Sequence, residues 1–199
     1  MPAEPIHNRG NAITMAAGAG ALVLAGVCVA LAGADQKGIA TGLRATAVLG
    51  FPFLVGAYAS PALAVLWPGN FSDWLLAHRR SLGLAFSAVF AVHLALIARF
   101  LSLPPNPPPT AFGLTLGSVA YMLLVGMMLT SFNGVAVTFG AARVRLLRRI
   151  GEQWVFAVFT LTLVQGVSQH STLWLLPLVI ALVVYAMRLT AWRSASRTV

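Results

Sequence analysis

Six long runs of apolar residues fill most of this chain. They cover about residues 12–33, 43–67, 81–103, 111–131, 150–168 and 172–191. A helix that crosses a bilayer needs about 20 consecutive apolar residues, so each run predicts one membrane-spanning helix. The pattern therefore predicts an all-α integral membrane protein built as a bundle of six transmembrane helices.

The polar residues between these runs predict an orientation for the bundle. Ten cationic residues lie on alternate connections: Arg9, Arg79, Arg80, Arg143, Arg145, Arg148, Arg149, Arg188, Arg193 and Arg197. The other connections carry only Lys37, Arg44 and Arg99. Such sorting is expected when the arginine-rich connections face the cytoplasm. We predict a multi-pass protein of a bacterial-type inner (plasma) membrane, with both termini cytoplasmic: an N-terminal tail (1–11), the helical domain (12–191) and a basic tail (192–199).

The composition agrees with a membrane protein and narrows the classes of partner. The chain is 59% hydrophobic and 9% charged, whereas soluble domains carry roughly 25% charged residues. Its net charge of +9 comes from arginines at helix ends, which meet anionic lipid headgroups, so we predict membrane lipid and no nucleic acid as a partner. A single cysteine, Cys28, excludes an iron–sulfur pattern, and four acidic residues form no metal-binding cluster.

The first apolar run raises the question of a signal peptide, because Ala32-Gly33-Ala34 resembles a cleavage site. The apolar part of a signal peptide is about 7–15 residues long, and this run is longer. The length favours a retained helix.

His93 is the main candidate for chemistry. It lies 12 residues into the predicted third helix, roughly 18 Å from the cytoplasmic end at about 1.5 Å per residue. Ionisable residues at that depth are costly and usually functional. Neutral imidazole is a common axial ligand of haem iron. The alternative is a neutral histidine hydrogen-bonded to a neighbouring helix.

The fifth run supplies a second group of candidates. Glu152 follows Arg148 by four positions, so the two form either an interfacial salt bridge or, with Trp154, a contact for a proton or a quinone headgroup. Gln165 lies deeper on the same predicted helix, where it bonds the sixth helix or lines an outer cavity.

Two segments resemble the ferric-reductase-like transmembrane domain, a family that includes the haem-binding membrane subunit of periplasmic methionine sulfoxide reductase systems. The segment 79–86 (RRSLGLAF), followed by His93, is similar to that family's third-helix motif, and segments 129–133 and 145–151 resemble its connection between helices 4 and 5. The resemblance implies b-type haem ligated by His93 and electron transfer from a quinol or flavoprotein donor to a partner protein or a larger membrane complex. It also makes Arg79, Arg80 and Arg148 candidate headgroup contacts.

The chain departs from the family pattern at the second haem ligand. Arg148 occupies the position where the family has a histidine at the start of helix 5, and Phe90 stands where relatives often have another histidine. Substitute ligands are His170, Met122, Met127 or water. The alternative function is therefore a cofactor-free member of the family, acting as a structural, lipid- or quinone-binding, or assembly subunit. The oxidoreductase chemistry of the first function is an expectation from the resemblance.

Overall fold

The computed structural model describes residues 6–104, 110–169 and 172–195, and in these ranges the chain is helical without any strand. The helices are α1 (Ile6–Ala32), α2 (Gln36–Leu66), α3 (Asn70–Ser102), α4 (Ala111–Leu129), α5 (Asn133–Phe139), α6 (Ala141–Gln169) and α7 (Leu175–Ala195). A 3₁₀ turn at Thr172–Trp174 precedes α7. All but α5 are long and apolar enough to cross a membrane. This confirms the all-α class and the six spans of a multi-pass membrane protein.

Several helices extend beyond the apolar runs that predicted them. Helix α3 begins at Asn70 and not at residue 81, and α6 begins at Ala141 and not at residue 150. Hydropathy marks only the part of a helix that lipid requires to be apolar. Arginine and leucine are good helix formers, so the backbone continues as a helix through polar positions outside that part. The short helix α5 lacks an apolar run and was not predicted.

The chain forms two compact units. Unit 1 comprises Met1–Ala57 and His78–Thr110, and unit 2 comprises Tyr58–Ala77 and Ala111–Val199. Helices α2 and α3 therefore contribute residues to both units. The two candidate sites described below each lie within a single unit.

Small residues allow the helices of unit 1 to pack closely. Ala17 and Ala21 of α1 are buried in one cluster with Ala85 and Val89 of α3. A Cβ atom placed on Gly18 would lie 3.4 Å from the Cβ of Ala88. The Ala- and Gly-rich first helix thus packs closely against α3 along its small residues, as small side chains allow in membrane helices.

The turn between α1 and α2 depends on two glycines and an aspartate. Gly33 has a φ of 95°, a left-handed conformation that side chains disfavour. The carboxylate of Asp35 accepts a hydrogen bond from the Gly38 N–H at 2.9 Å, which caps the start of α2. A Cβ on Gly38 would overlap the carbonyl group of Gly33. The small residues that resemble a cleavage site thus border a closely packed turn.

In unit 2, α6 is the central helix, in contact with α4, α5, α7 and the 3₁₀ turn. Glycines mark its closest approaches. A Cβ on Gly126 of α4 would lie 3.4 Å from Leu147, and a Cβ on Gly151 would lie 2.7 Å from the sulfur of Met127. These pairs place α4 along one face of α6 and leave the other faces for the polar contacts described next.

Candidate functional site

In unit 1, His93 on α3 is hydrogen-bonded to α2. Its Nδ1 lies 2.8 Å from the hydroxyl oxygen of Thr46, a residue that is completely buried. The Thr46 hydroxyl also lies 2.9 Å from the carbonyl of Gly42 and 3.1 Å from that of Leu43. These carbonyls can only accept, and when the single hydroxyl proton points to one of them, Nδ1 is the donor in its bond to Thr46. We therefore assign the Nδ1–H tautomer of His93, which donates to Thr46 and leaves the Nε2 lone pair for another partner.

Aromatic rings hold the imidazole plane in place. Phe90 stacks on His93 with ring centroids 4.9 Å apart, and Phe86 packs on Phe90 at 4.2 Å. The Phe90 ring lies so close to α2 that a Cβ on Gly50 would be 2.8 Å from one of its carbons. The Phe90 ring thus supports His93 on the side of α2.

The assigned tautomer of His93 leaves Nε2 as one potential metal ligand. Hydrogen-bonding of the opposite ring nitrogen to a fixed acceptor is the usual arrangement for a metal-binding histidine. His78 is 15 residues earlier on α3, or roughly 22 Å away along the helix. The described residues contain no group of three or more His, Cys, Asp or Glu side chains able to hold a metal.

Of the three side chains predicted as substitute ligands, the structure describes the two methionines. His170 lies outside the described residues. Met122 is 66% exposed, and the Met127 side chain packs against Gly151, so both methionines belong to the surroundings of α4 in unit 2.

Unit 2 holds a polar cluster centred on Tyr58, near the end of α2. Tyr58 is 2% exposed, and its hydroxyl donates to the side-chain oxygen of Gln153 on α6 at 2.6 Å. One face of the phenol stacks on Phe156 at 3.9 Å with the ring planes 8° apart. The guanidinium of Arg188 lies over the ring, 4.5 Å from its centroid. Both the position and the hydrogen bond of Tyr58 are therefore fixed.

Arg188 on α7 joins three parts of unit 2. Its Nη1 donates to the Tyr58 carbonyl at 3.0 Å, and its Nη2 is 3.8 Å from a carboxylate oxygen of Glu152. The two side chains are 21% and 26% exposed, so the ion pair is partly solvated and its electrostatic contribution is modest. The charge of Arg188 is nevertheless neutralised inside the cluster.

The proline at position 61 explains why an arginine reaches the backbone of α2. Pro61 lacks an N–H, so the carbonyl of Ala57, four residues earlier, loses its helical donor. In unit 1, the Nε of Arg79 donates to that carbonyl at 3.2 Å. In unit 2, Arg188 donates a hydrogen bond to the carbonyl of Tyr58, the next residue of α2. Arg79, predicted as a headgroup contact, thus has a bond to the backbone.

Two hydrogen-bond donors near this cluster are not used within the described chain. Gln153 accepts from Tyr58 and makes no other hydrogen bond there, so its amide N–H groups are available. The indole Nε1 of Trp154 is buried and has no hydrogen-bond partner among the described residues. A buried donor without an acceptor costs roughly 1–3 kcal/mol, and it calls for an explanation.

The remaining sequence candidates are dispersed. Arg148 and Glu152 have different partners, because Arg148 donates to the Thr130 carbonyl at 3.0 Å and Glu152 lies beside Arg188. Arg80 and Gln165 are exposed, and the Gln165 carbonyl accepts from Ser168. Glu152 and Trp154 are the two candidates that lie on α6 next to Gln153.

Sequence reasoning missed Thr46, Tyr58, Gln153 and Arg188. Threonine is common in membrane helices, and Arg188 was counted only as a topological charge. One signal was present: Pro61 predicts an unpaired carbonyl at residue 57, which attracts a donor. Nothing in the sequence says which side chain supplies it.

No family model, curated protein or solved structure matches this chain. The functional proposal therefore rests on the sequence resemblance and on the side chains of this chain.

Proposed function

We propose that this chain is a redox subunit of ferric-reductase-like type, in which His93 is the one histidine ligand of a b-type haem. The observation that carries the proposal is the bond between His93 Nδ1 and Thr46, which directs the opposite nitrogen of a membrane-embedded imidazole toward another partner. Thr46 orients the ring through its hydrogen bond, and Phe90 supports the ring by stacking.

Bound haem would supply one-electron transfer. His93 would hold the iron through Nε2, while Thr46 keeps the proton on Nδ1 and so maintains the ligand tautomer. The donor is a quinol or a flavoprotein, and the acceptor is a partner protein or a larger membrane complex. The arginine sorting supports a bacterial-type plasma membrane location with both termini cytoplasmic.

The experiment is a reduced-minus-oxidised absorption spectrum of the detergent-purified protein, with haem quantified after expression under ample haem supply. His93→Ala is the test variant, and His78→Ala is the matched control on the same helix. We expect a b-type Soret and α-band pair in the wild type and in His78→Ala, and its loss in His93→Ala. Folded wild-type protein without haem would overturn the proposal.

One observation favours a second candidate, a cofactor-free structural or assembly subunit. Arg148 occupies the position of the family's second haem histidine, and its guanidinium bonds the Thr130 carbonyl, a structural role. On this alternative, His93→Ala lowers stability or assembly without changing any spectrum. Redox activity retained by the isolated protein would contradict it.

A further inference from the structure

Four arginines lie in the first turns of α6, and the structure separates them by what they contact. Arg148 donates to the carbonyl of Thr130, a buried residue, so its guanidinium holds α6 to the segment that follows α4. Arg143, Arg145 and Arg149 are exposed, and they make no hydrogen bond or ion pair within the described part of the chain. The charge sorting that predicts topology treats the four alike, whereas the structure leaves three of them available to another molecule.

Arg145 and Arg149 point to the same side of α6. Residues four apart on a helix have Cβ atoms about 5–6 Å from each other, so both guanidinium groups can reach one anion. The buried Val144 marks the side of α6 that packs inside unit 2, and the two arginines lie away from it. The acid nearest to them in sequence, Glu152, lies beside Arg188. Two like charges one turn apart repel each other, and a bound anion relieves that repulsion.

Exposed apolar side chains accompany these arginines, which favours a lipid over a small soluble anion. Leu146 and Ile150 of α6 keep 58% and 50% of their surface accessible. The short helix α5, which is not among the helices long enough to cross a membrane, exposes 82% of Val137 and 53% of Phe139. Apolar side chains outside a span avoid water when they lie at the boundary between lipid headgroups and acyl chains. The segment therefore presents cationic and apolar groups together, as a phospholipid requires.

We propose that α5 and the first turns of α6 bind an anionic phospholipid, whose phosphate accepts hydrogen bonds from Arg145 and Arg149 while its acyl chains contact the exposed apolar side chains. A guanidinium group can donate two parallel hydrogen bonds to a phosphate. In the predicted orientation the site faces the cytoplasmic leaflet, where anionic lipids attract basic segments. The site differs from that general attraction, because two arginines at defined positions hold the headgroup. It does not depend on the proposed redox function.

The test is native mass spectrometry of the full-length protein in detergent with added phosphatidylglycerol, which gives the dissociation constant of the first bound lipid. We expect phosphatidylglycerol to bind more tightly than phosphatidylcholine. Arg145→Gln and Arg149→Gln should each weaken phosphatidylglycerol binding by about tenfold, since each removes a charge-assisted hydrogen bond to the phosphate. Arg143→Gln is the matched control, because it removes the same charge from the same segment on another side of the helix, and it should change the affinity little.

Three outcomes would overturn the site. Equal affinities of the wild type for the two lipids would show that the headgroup charge is not recognised. Equal losses in Arg143→Gln and Arg149→Gln would show that only the total charge of the segment attracts lipid. Displacement of phosphatidylglycerol by added inorganic phosphate would identify a soluble anion as the occupant. Circular dichroism and size-exclusion profiles verify that each variant is folded, and the substituted side chains are exposed, so folding should be retained.

Discussion

Each of the two units buries polar groups, but they use them differently. In unit 1, the buried Thr46 makes one hydrogen bond to the His93 side chain, at Nδ1. The assigned tautomer leaves the Nε2 lone pair of His93 for another partner. In unit 2, Arg188 contacts a carbonyl, an aromatic ring and a carboxylate. An imidazole with one nitrogen available suits a ligand role, whereas a guanidinium with several partners suits a structural one. The number of partners therefore distinguishes the His93 imidazole from the Arg188 guanidinium.

The units also differ in what surrounds their glycines. In unit 1, Gly38 faces the backbone of Gly33 and Gly50 faces the ring of Phe90. In unit 2, Gly151 faces the end of the flexible Met127 side chain. A backbone group or a stacked ring cannot move aside easily, but a methionine can adopt another rotamer. Unit 1 should therefore tolerate added volume less well than unit 2.

The largest effect is expected from Gly38→Ala. The new methyl group would overlap the Gly33 carbonyl, and Gly33 is itself held at a φ of 95°, so the turn between α1 and α2 must open. We expect little or no folded protein in the membrane fraction, measured by fluorescence-detected size-exclusion chromatography. Gly20→Ala on α1 is the control, because its Cβ would meet nothing within 4 Å. Equal yields of the two variants would contradict the rigid packing of unit 1.

Thr46→Val tests whether unit 1 uses its polar pair to orient a ligand. Valine keeps the shape of threonine but removes the acceptor of the Nδ1–H bond. Loss of such a second partner typically weakens metal binding by about 10–100-fold. We expect haem affinity, measured by titration of the apoprotein, to fall by that factor. Thr41→Val is the control on α2, since the exposed Thr41 hydroxyl bonds only its own helix at Lys37. An unchanged affinity would leave Thr46 with a packing role.

Arg188→Leu tests whether the cluster of unit 2 is structural. The substitution removes the donor to the Tyr58 carbonyl and the partner of Glu152. Hydrogen bonds from charged groups contribute about 1.5–3 kcal/mol each, so we expect a loss of about 2 kcal/mol in the free energy of unfolding. Reversible unfolding in mixed SDS micelles measures it. Arg193→Leu, at an exposed arginine of the same helix, should change it little. Similar losses in both variants would count against a specific role for Arg188.

The smallest effects come from a matched pair of glycine substitutions. Gly50→Ala presses on a Phe90 ring already stacked against Phe86 and His93, so we expect a loss of about 1–3 kcal/mol. Gly151→Ala requires only that Met127 change rotamer, so we expect a loss of less than about 1 kcal/mol. The same unfolding assay compares them. A greater loss for Gly151→Ala than for Gly50→Ala would reverse the contrast between the units.

The sequence alone determined the helical class and the number of spans, because the lipid bilayer imposes both. Lipid cannot satisfy backbone groups and excludes charge, so each span must be a long apolar helix that is visible as a local run of residues. The first residues of α3 and α6 could not be predicted in this way, since a helix can continue into water without any requirement for apolar residues. That His93 lies within a helix long and apolar enough to span a membrane was predictable for the same reason, from its position along one run.

Only the tertiary structure decided which polar groups meet. Thr46 and His93 are 47 positions apart, Tyr58 and Gln153 are 95 apart, and Tyr58 and Arg188 are 130 apart. Hydropathy predicts which segments span the membrane, but it does not predict how each helix is rotated about its axis relative to its neighbours. That rotation follows from packing at small residues such as Gly50 and Gly151, and it directs Arg148 to a carbonyl and Glu152 to Arg188. The helices follow from local composition, whereas the polar pairs depend on side-chain packing between distant segments.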